Sequence, residues 1–94
     1  MLLSVVLCNF VKEGNIRKVR DIVLTVKNLS NVRDYDDRTP LHVAAANDHY
    51  EIALLLITRG AKVNSSDRWG RSPMQVAVTN RSLRVAELLA EHRG

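Results

Sequence analysis

Ninety-four residues with 46% hydrophobic and only 4% aromatic content are enough for one small domain with an aliphatic core, and too few for two. The lone Cys8 excludes an intrachain disulfide and fits a reducing compartment, and four isolated glycines exclude a Gly-rich phosphate loop. The net charge of +4 divides as +4, −2 and +2 over residues 1–33, 34–66 and 67–94, with no basic run longer than two residues. It raises nucleic acid or an acidic partner as candidates and selects neither.

In chain order, Met1-Leu2-Leu3-Ser4-Val5-Val6-Leu7 lacks the basic start and small-residue cleavage site of a signal peptide, and it is too short to span a bilayer. It reads as the start of a buried helix, Leu2 to Lys12. Glu13-Gly14-Asn15 is a turn, and Val19, Ile22, Val23 and Val26 give a second helix its apolar stripe. Thr39 then caps a helix that opens on Pro40, where no amide proton is needed. Ala44 and Ala45 are small enough for close helix packing. After Asn47-Asp48, a further helix carries Ile52, Ala53, Leu55 and Leu56 and closes at Gly60. Ser72-Pro73 repeats the cap, and Val85, Ala86, Leu88 and Leu89 repeat the stripe.

This recurrence has a period of 33. Asp34 falls on Asp67, Pro40 on Pro73, Val43 on Val76, Ala44 on Ala77, Asn47 on Asn80, Ala53 on Ala86, Leu55 on Leu88 and Leu56 on Leu89. A blurred copy, offset by 34, places Glu13-Gly14-Asn15-Ile16 on Asn47-Asp48-His49-Tyr50, with Phe10 and Val11 at the small-alanine positions. A fixed period of this length marks a solenoid of stacked helix pairs, and Thr39-Pro40-Leu41-His42-Val43-Ala44 is the T-P-L-H-x-A signature. On these residues the chain resembles the ankyrin-repeat family, strongly from Asp34 to Arg93 and weakly before that. The runs Asp34 to Ala45 and Asp67 to Pro73 are similar to ankyrin segments appended to glutaminases, bacterial asparaginases and plant integrin-linked-type kinases.

The resemblance implies an all-α solenoid of helix-turn-helix units joined by β-turn fingers. Its expected divisions are a degenerate N-terminal repeat (1–33), a full repeat (34–66) and a C-terminal capping repeat (67–94). The cap is read from Glu87 in place of Leu54, with Arg84 and Glu91 nearby. The family has Gly where this chain has Asp37, Asp48 and Arg81, so positive φ is expected there. It also implies that His42 bridges the Thr39 hydroxyl and a neighbouring turn, that His49 links to an adjacent loop, and that Gln75 lacks the bridge His42 makes.

The family's variable positions map onto Tyr35, Asp36, Arg38, Ala46 and Asn47, onto Arg68, Trp69, Arg71, Thr79 and Asn80, and onto Lys12 and Glu13. Trp, Tyr and Arg are enriched among interface hot spots, and here they form an aromatic and basic strip suited to an acidic or mixed-charge segment. The expected function is protein binding. A regulatory or assembly segment of a larger enzyme or channel is the second reading, and nucleic-acid binding through surface arginines the weaker third. No catalytic residues, cofactor, metal ligands, membrane contact or small-molecule substrate are expected. Cys8 lies in an apolar run, the histidines lack ligand spacing, and Asp34, Asp36 and Asp37 lack the distal Glu of a calcium loop. The expected location is the cytoplasm, with the nucleus as alternative.

Overall fold

A computed structural model describes residues 2–26, 31–34 and 36–92. Six helices account for the order: α1 (Leu2–Glu13), α2 (Ile16–Thr25), α3 (Pro40–Ala46), α4 (Tyr50–Thr58), α5 (Pro73–Thr79) and α6 (Leu83–His92). Each odd-numbered helix packs against the even-numbered helix that follows it. The pairs stack so that α1, α3 and α5 form one row and α2, α4 and α6 the other. Among the described residues there is no strand.

Local chemistry starts and stops these helices where the sequence reading expects. The Thr39 hydroxyl accepts from the His42 amide at 3.4 Å, while Thr39 N donates to His42 Nδ1 at 3.2 Å, a reciprocal cap in which histidine takes the usual Glu or Gln place. Ser72 and Gln75 make the same pair at 3.2 and 2.8 Å. Asn15 caps α2 through Lys18 N at 3.2 Å. The three turns between paired helices each need a left-handed residue, supplied by Gly14 (φ 76°), Asp48 (φ 52°) and Arg81 (φ 58°). Gly14 is also a close approach, since a Cβ there would lie 2.9 Å from the His49 ring.

α3 is the centre of the molecule, with Leu41, His42, Ala44 and Ala45 fully buried between α1 and α5. Alanine at 44 and 77 lets successive first helices touch, and both are 0% exposed. In α1 the larger Val11 is still fully buried, and Phe10 packs half-buried against the core. Ile52, Ala53, Leu56, Val85, Leu88 and Leu89 fill the second row. Leu55 is only partly buried whereas Leu88 is 2% exposed, so the two positions are equivalent in sequence and unequal in burial. Each fully buried leucine stabilises the stack by about 1.5–3 kcal/mol relative to an exposed one.

Candidate functional site

The two segments ahead of α3 and α5 are built alike. Asp34 Oδ1 accepts from the amides of Asp36 and Arg38, both at 2.9 Å, and its Oδ2 accepts from Arg38 Nε at 3.1 Å. Asp67 repeats the arrangement with Trp69 N (2.9 Å), Arg71 N (2.8 Å) and Arg71 Nε (2.9 Å). Each loop closes on its own backbone, Asp34 N to Arg38 O at 3.0 Å and Asp67 N to Arg71 O at 2.9 Å. The positive φ expected at Asp37 is present (56°), matched by Gly70 (77°) in the second finger. Burial pushes the Asp67 carboxyl up, but the Arg71 and Trp69 amides and the Arg71 guanidinium outweigh it and hold it below the usual range.

The fingers are also tied to each other. Arg68 N donates to Asp36 O at 2.9 Å, and Arg33 spans both loops, donating to Asp37 O at 2.7 Å and Ser66 O at 2.6 Å. His42 completes the link as expected. Its Nδ1 accepts from Thr39, with the hydroxyl at 2.9 Å, which fixes the proton on Nε2, and Nε2 donates to Arg71 O at 2.7 Å. Burial lowers the imidazole's affinity for a second proton against the opposing pull of the Arg71 carbonyl. His42 is therefore a neutral structural bolt. His49, expected to link to an adjacent loop, instead places its Nε2 3.1 Å from Lys12 O, in the last turn of α1.

On this frame Trp69 stands 58% exposed. The Arg71 and Arg68 guanidinium carbons lie 5.0 and 5.7 Å from its ring centroid, within cation–π range. Asp36, Arg38, Arg68, Trp69 and Arg71 thus come together as one fingertip surface. Its arginines are all paired: Arg38 with Asp34 (3.0 Å) and Asp36 (3.9 Å), Arg68 with Asp36 (3.7 Å), and Arg71 with Asp67 (2.9 Å). The strip is aromatic and mixed in charge rather than basic. Tyr35 lies outside the described residues.

The remaining expected positions sit at the other ends of the first helices, about 10 Å away along seven-residue helices. Ala46 is half-buried, and Asn47, Thr79 and Asn80 are exposed. Asn47 and Asn80 each donate to a helix carbonyl, Val43 O and Val76 O, at 2.9 Å, so both amides are partly committed to ending their helices. Lys12 and Glu13 are exposed at the end of α1.

Sequence reasoning missed two features of this surface. Val5 and Asn9 of α1 line a groove with the expected Lys12, Asp36 and Arg38, and their spacing from Lys12 on one helix face was the available signal. It also placed Arg38 and Arg71 in a basic contact strip without their carboxylate partners. Their coincidence at the 33-residue offset, together with Asp34 and Asp67, marks them as parts of the loop itself.

Cys8 is buried, and burial, reinforced by Asp34, pushes its thiol up to about 12, which suppresses the reactive thiolate. Among the described residues no three His, Cys, Asp or Glu side chains cluster as a metal site would require, and no helix is long and apolar enough to cross a membrane.

The ankyrin-repeat profile, described as three copies, matches residues 7–94. The chain belongs to the ankyrin-repeat family. Its ankyrin relatives include the serine/threonine-protein kinase VIK of Arabidopsis thaliana, 40% identical over 76 residues that make up 81% of this chain and 17% of the kinase. The potassium channel GORK of the same plant is 38% identical over 85 residues, 90% of this chain and 10% of the channel. The mitochondrial liver isoform of glutaminase from Mus musculus is 40% identical over 81 residues, 84% of this chain and 13% of the enzyme. The chain thus spans less than a fifth of each of these relatives, within their ankyrin segments. Ankyrin repeats generally mediate contacts between proteins.

Proposed function

We propose that the fingertip surface, with the groove beside α1, binds a partner protein through a segment of mixed charge that has an aromatic or cationic group to stack on Trp69. The observation that carries this reading is Trp69, a large aromatic left 58% exposed on a loop whose every turn is hydrogen-bonded. A rigid, exposed aromatic offers contact area at little cost in conformational entropy, which is what an interface anchor requires. The paired arginines favour a mixed-charge partner over a uniformly acidic one, because each already has a carboxylate nearby.

The pairing also decides how to test the idea. Arg71 supports the buried Asp67, so its removal disturbs the loop as well as the surface. Arg68 is mostly exposed and only loosely paired. The full chain and its Trp69→Ala/Arg68→Ala variant, used as paired baits in cell extract, should differ in a protein kept by the first and lost by the second. Equal retention by both baits, with unchanged melting, sinks the fingertip site.

A second reading is a regulatory or assembly segment of a larger enzyme or channel. It draws on the length of the relatives, in which a chain of this size is one ankyrin part among others. An adjoining catalytic or channel-forming reading frame would support it. Nucleic-acid binding is the weakest reading, since the fingertip arginines are paired, and it predicts affinity that falls steeply with salt. No binding to single strands or duplex even at low salt removes it.

A further inference from the structure

The 33-residue equivalence lets each position be compared with and without a following helix pair. Ala45 on α3 is 0% exposed beneath α5, and its equivalent on α5, Val78, is 63% exposed. Tyr50 on α4 has the Arg84 guanidinium 4.7 Å above its ring, and its equivalent on α6, Leu83, is 72% exposed. His42 receives its cap bond on Nδ1 and donates from Nε2 to the next finger. Gln75 receives the same cap bond on Oε1, at 2.8 Å from Ser72 N. Its Nε2 amide, the counterpart of that second donor, has no bond among the described residues.

The other end of the stack is different. Asn9 and Lys18, exposed on α1 and α2, occupy positions that are apolar and buried in the later helix pairs, as Val43 and Val76 and as Ile52 and Val85. Among the described residues, polar groups therefore stand on the outer face of α1/α2 and apolar groups on the outer face of α5/α6. Glu87 and Glu91 do not close the α5/α6 end. Their equivalents Leu54 and Thr58 are exposed even with α6 in place, so these carboxylates lie on the outward side of the stack.

We propose that the open face of α5 and α6 is a stacking surface rather than a cap. It binds a further ankyrin-type helix pair joined in sequence after α6, seated as α5/α6 sit on α3/α4. Val78 and Leu83 then become buried, and Gln75 Nε2 donates to a backbone carbonyl of the added finger. The occupant is specified by the interface already present, which is repeated one step along the same direction. This surface is separate from the fingertip site, and either can fail without the other.

The test compares the full chain with one extended after His92 by a copy of residues 60–92, each with and without Val78→Glu. The extension should raise the thermal midpoint by at least about 5 °C in a single transition, the size of shift that a kcal/mol or so produces in a domain this small. Val78→Glu should abolish that gain while moving the unextended chain by less than about 2 °C, since surface changes cost little. A gain that survives Val78→Glu, or two separate transitions, overturns the proposal. The unextended chain should sediment as a monomer. A dimer that Val78→Glu dissociates would assign the face to a second copy and overturn it equally.

Discussion

Asp67 and His42 show how single side chains hold the fingers. The Asp67 carboxylate has no exposed surface of its own and takes three hydrogen bonds, so it is both costly to bury and expensive to strand. Arg71→Ala removes one partner from this buried acceptor and should cost about 1–3 kcal/mol, read as a lower urea midpoint. Arg68→Ala, at an exposed and loosely paired position, should leave the midpoint within about 0.5 kcal/mol. Because burial keeps the His42 imidazole below its ordinary value of 6.5, the unfolded chain takes up a proton that the folded chain resists. Stability should be complete above that pH and fall as acid is added toward the lowered folded value. His42→Gln, which reproduces the capping geometry of Gln75, should flatten this decline in melting midpoint. The carboxylate of Asp67 acts in a more acid window, its contribution present above 3.8 and lost as pH falls through its lowered value.

At the scale of elements, turns and caps decide where each helix begins and ends. Arg81 carries a left-handed backbone that costs an ordinary residue roughly 1–2 kcal/mol. Arg81→Gly should therefore raise stability by about 0.5–1 kcal/mol, with the greater freedom of glycine in the unfolded chain offsetting part of the relief. Gly14→Ala should do the reverse, because its Cβ meets the His49 ring at 2.9 Å in a backbone that alanine also disfavours. Parallel urea titrations of these two variants check the pair, and a change of the same sign in both would contradict the turn geometry. Thr39→Ala removes the α3 cap and should cost about 0.5–2 kcal/mol by the same measurement.

Across the whole molecule, stability rests on contacts between successive helix pairs, with α3/α4 packed between α1/α2 and α5/α6. A chain of this length has about 5–14 kcal/mol to lose. Leu56→Ala, at a fully buried position, should remove about 2–5 kcal/mol and lower the midpoint of one cooperative transition. Leu55→Ala, one residue away and half-buried, should cost clearly less. Equal costs would mean that the stripe is not packed as the structure has it.

The helices, their caps, the three left-handed turns and the solenoid architecture were all legible in the linear sequence. The helices and caps are set by neighbours within a few residues or by the 33-residue period, as Thr39-Pro40 was, and the left-handed Asp37, Asp48 and Arg81 followed from the family resemblance. The character of the surface was not legible. That Arg38 and Arg71 are spent on Asp34 and Asp67 depends on how each loop folds over four residues, and that Arg68 leans on Asp36 one finger away depends on where loops meet across the stack. Likewise, residues such as Glu87 and Val78 declare themselves outward or stacking only once the helices have turned particular faces to their neighbours. Local propensity and periodicity act along the chain. Charge pairing and exposure act through space, and only the packed helices bring the distant partners into range.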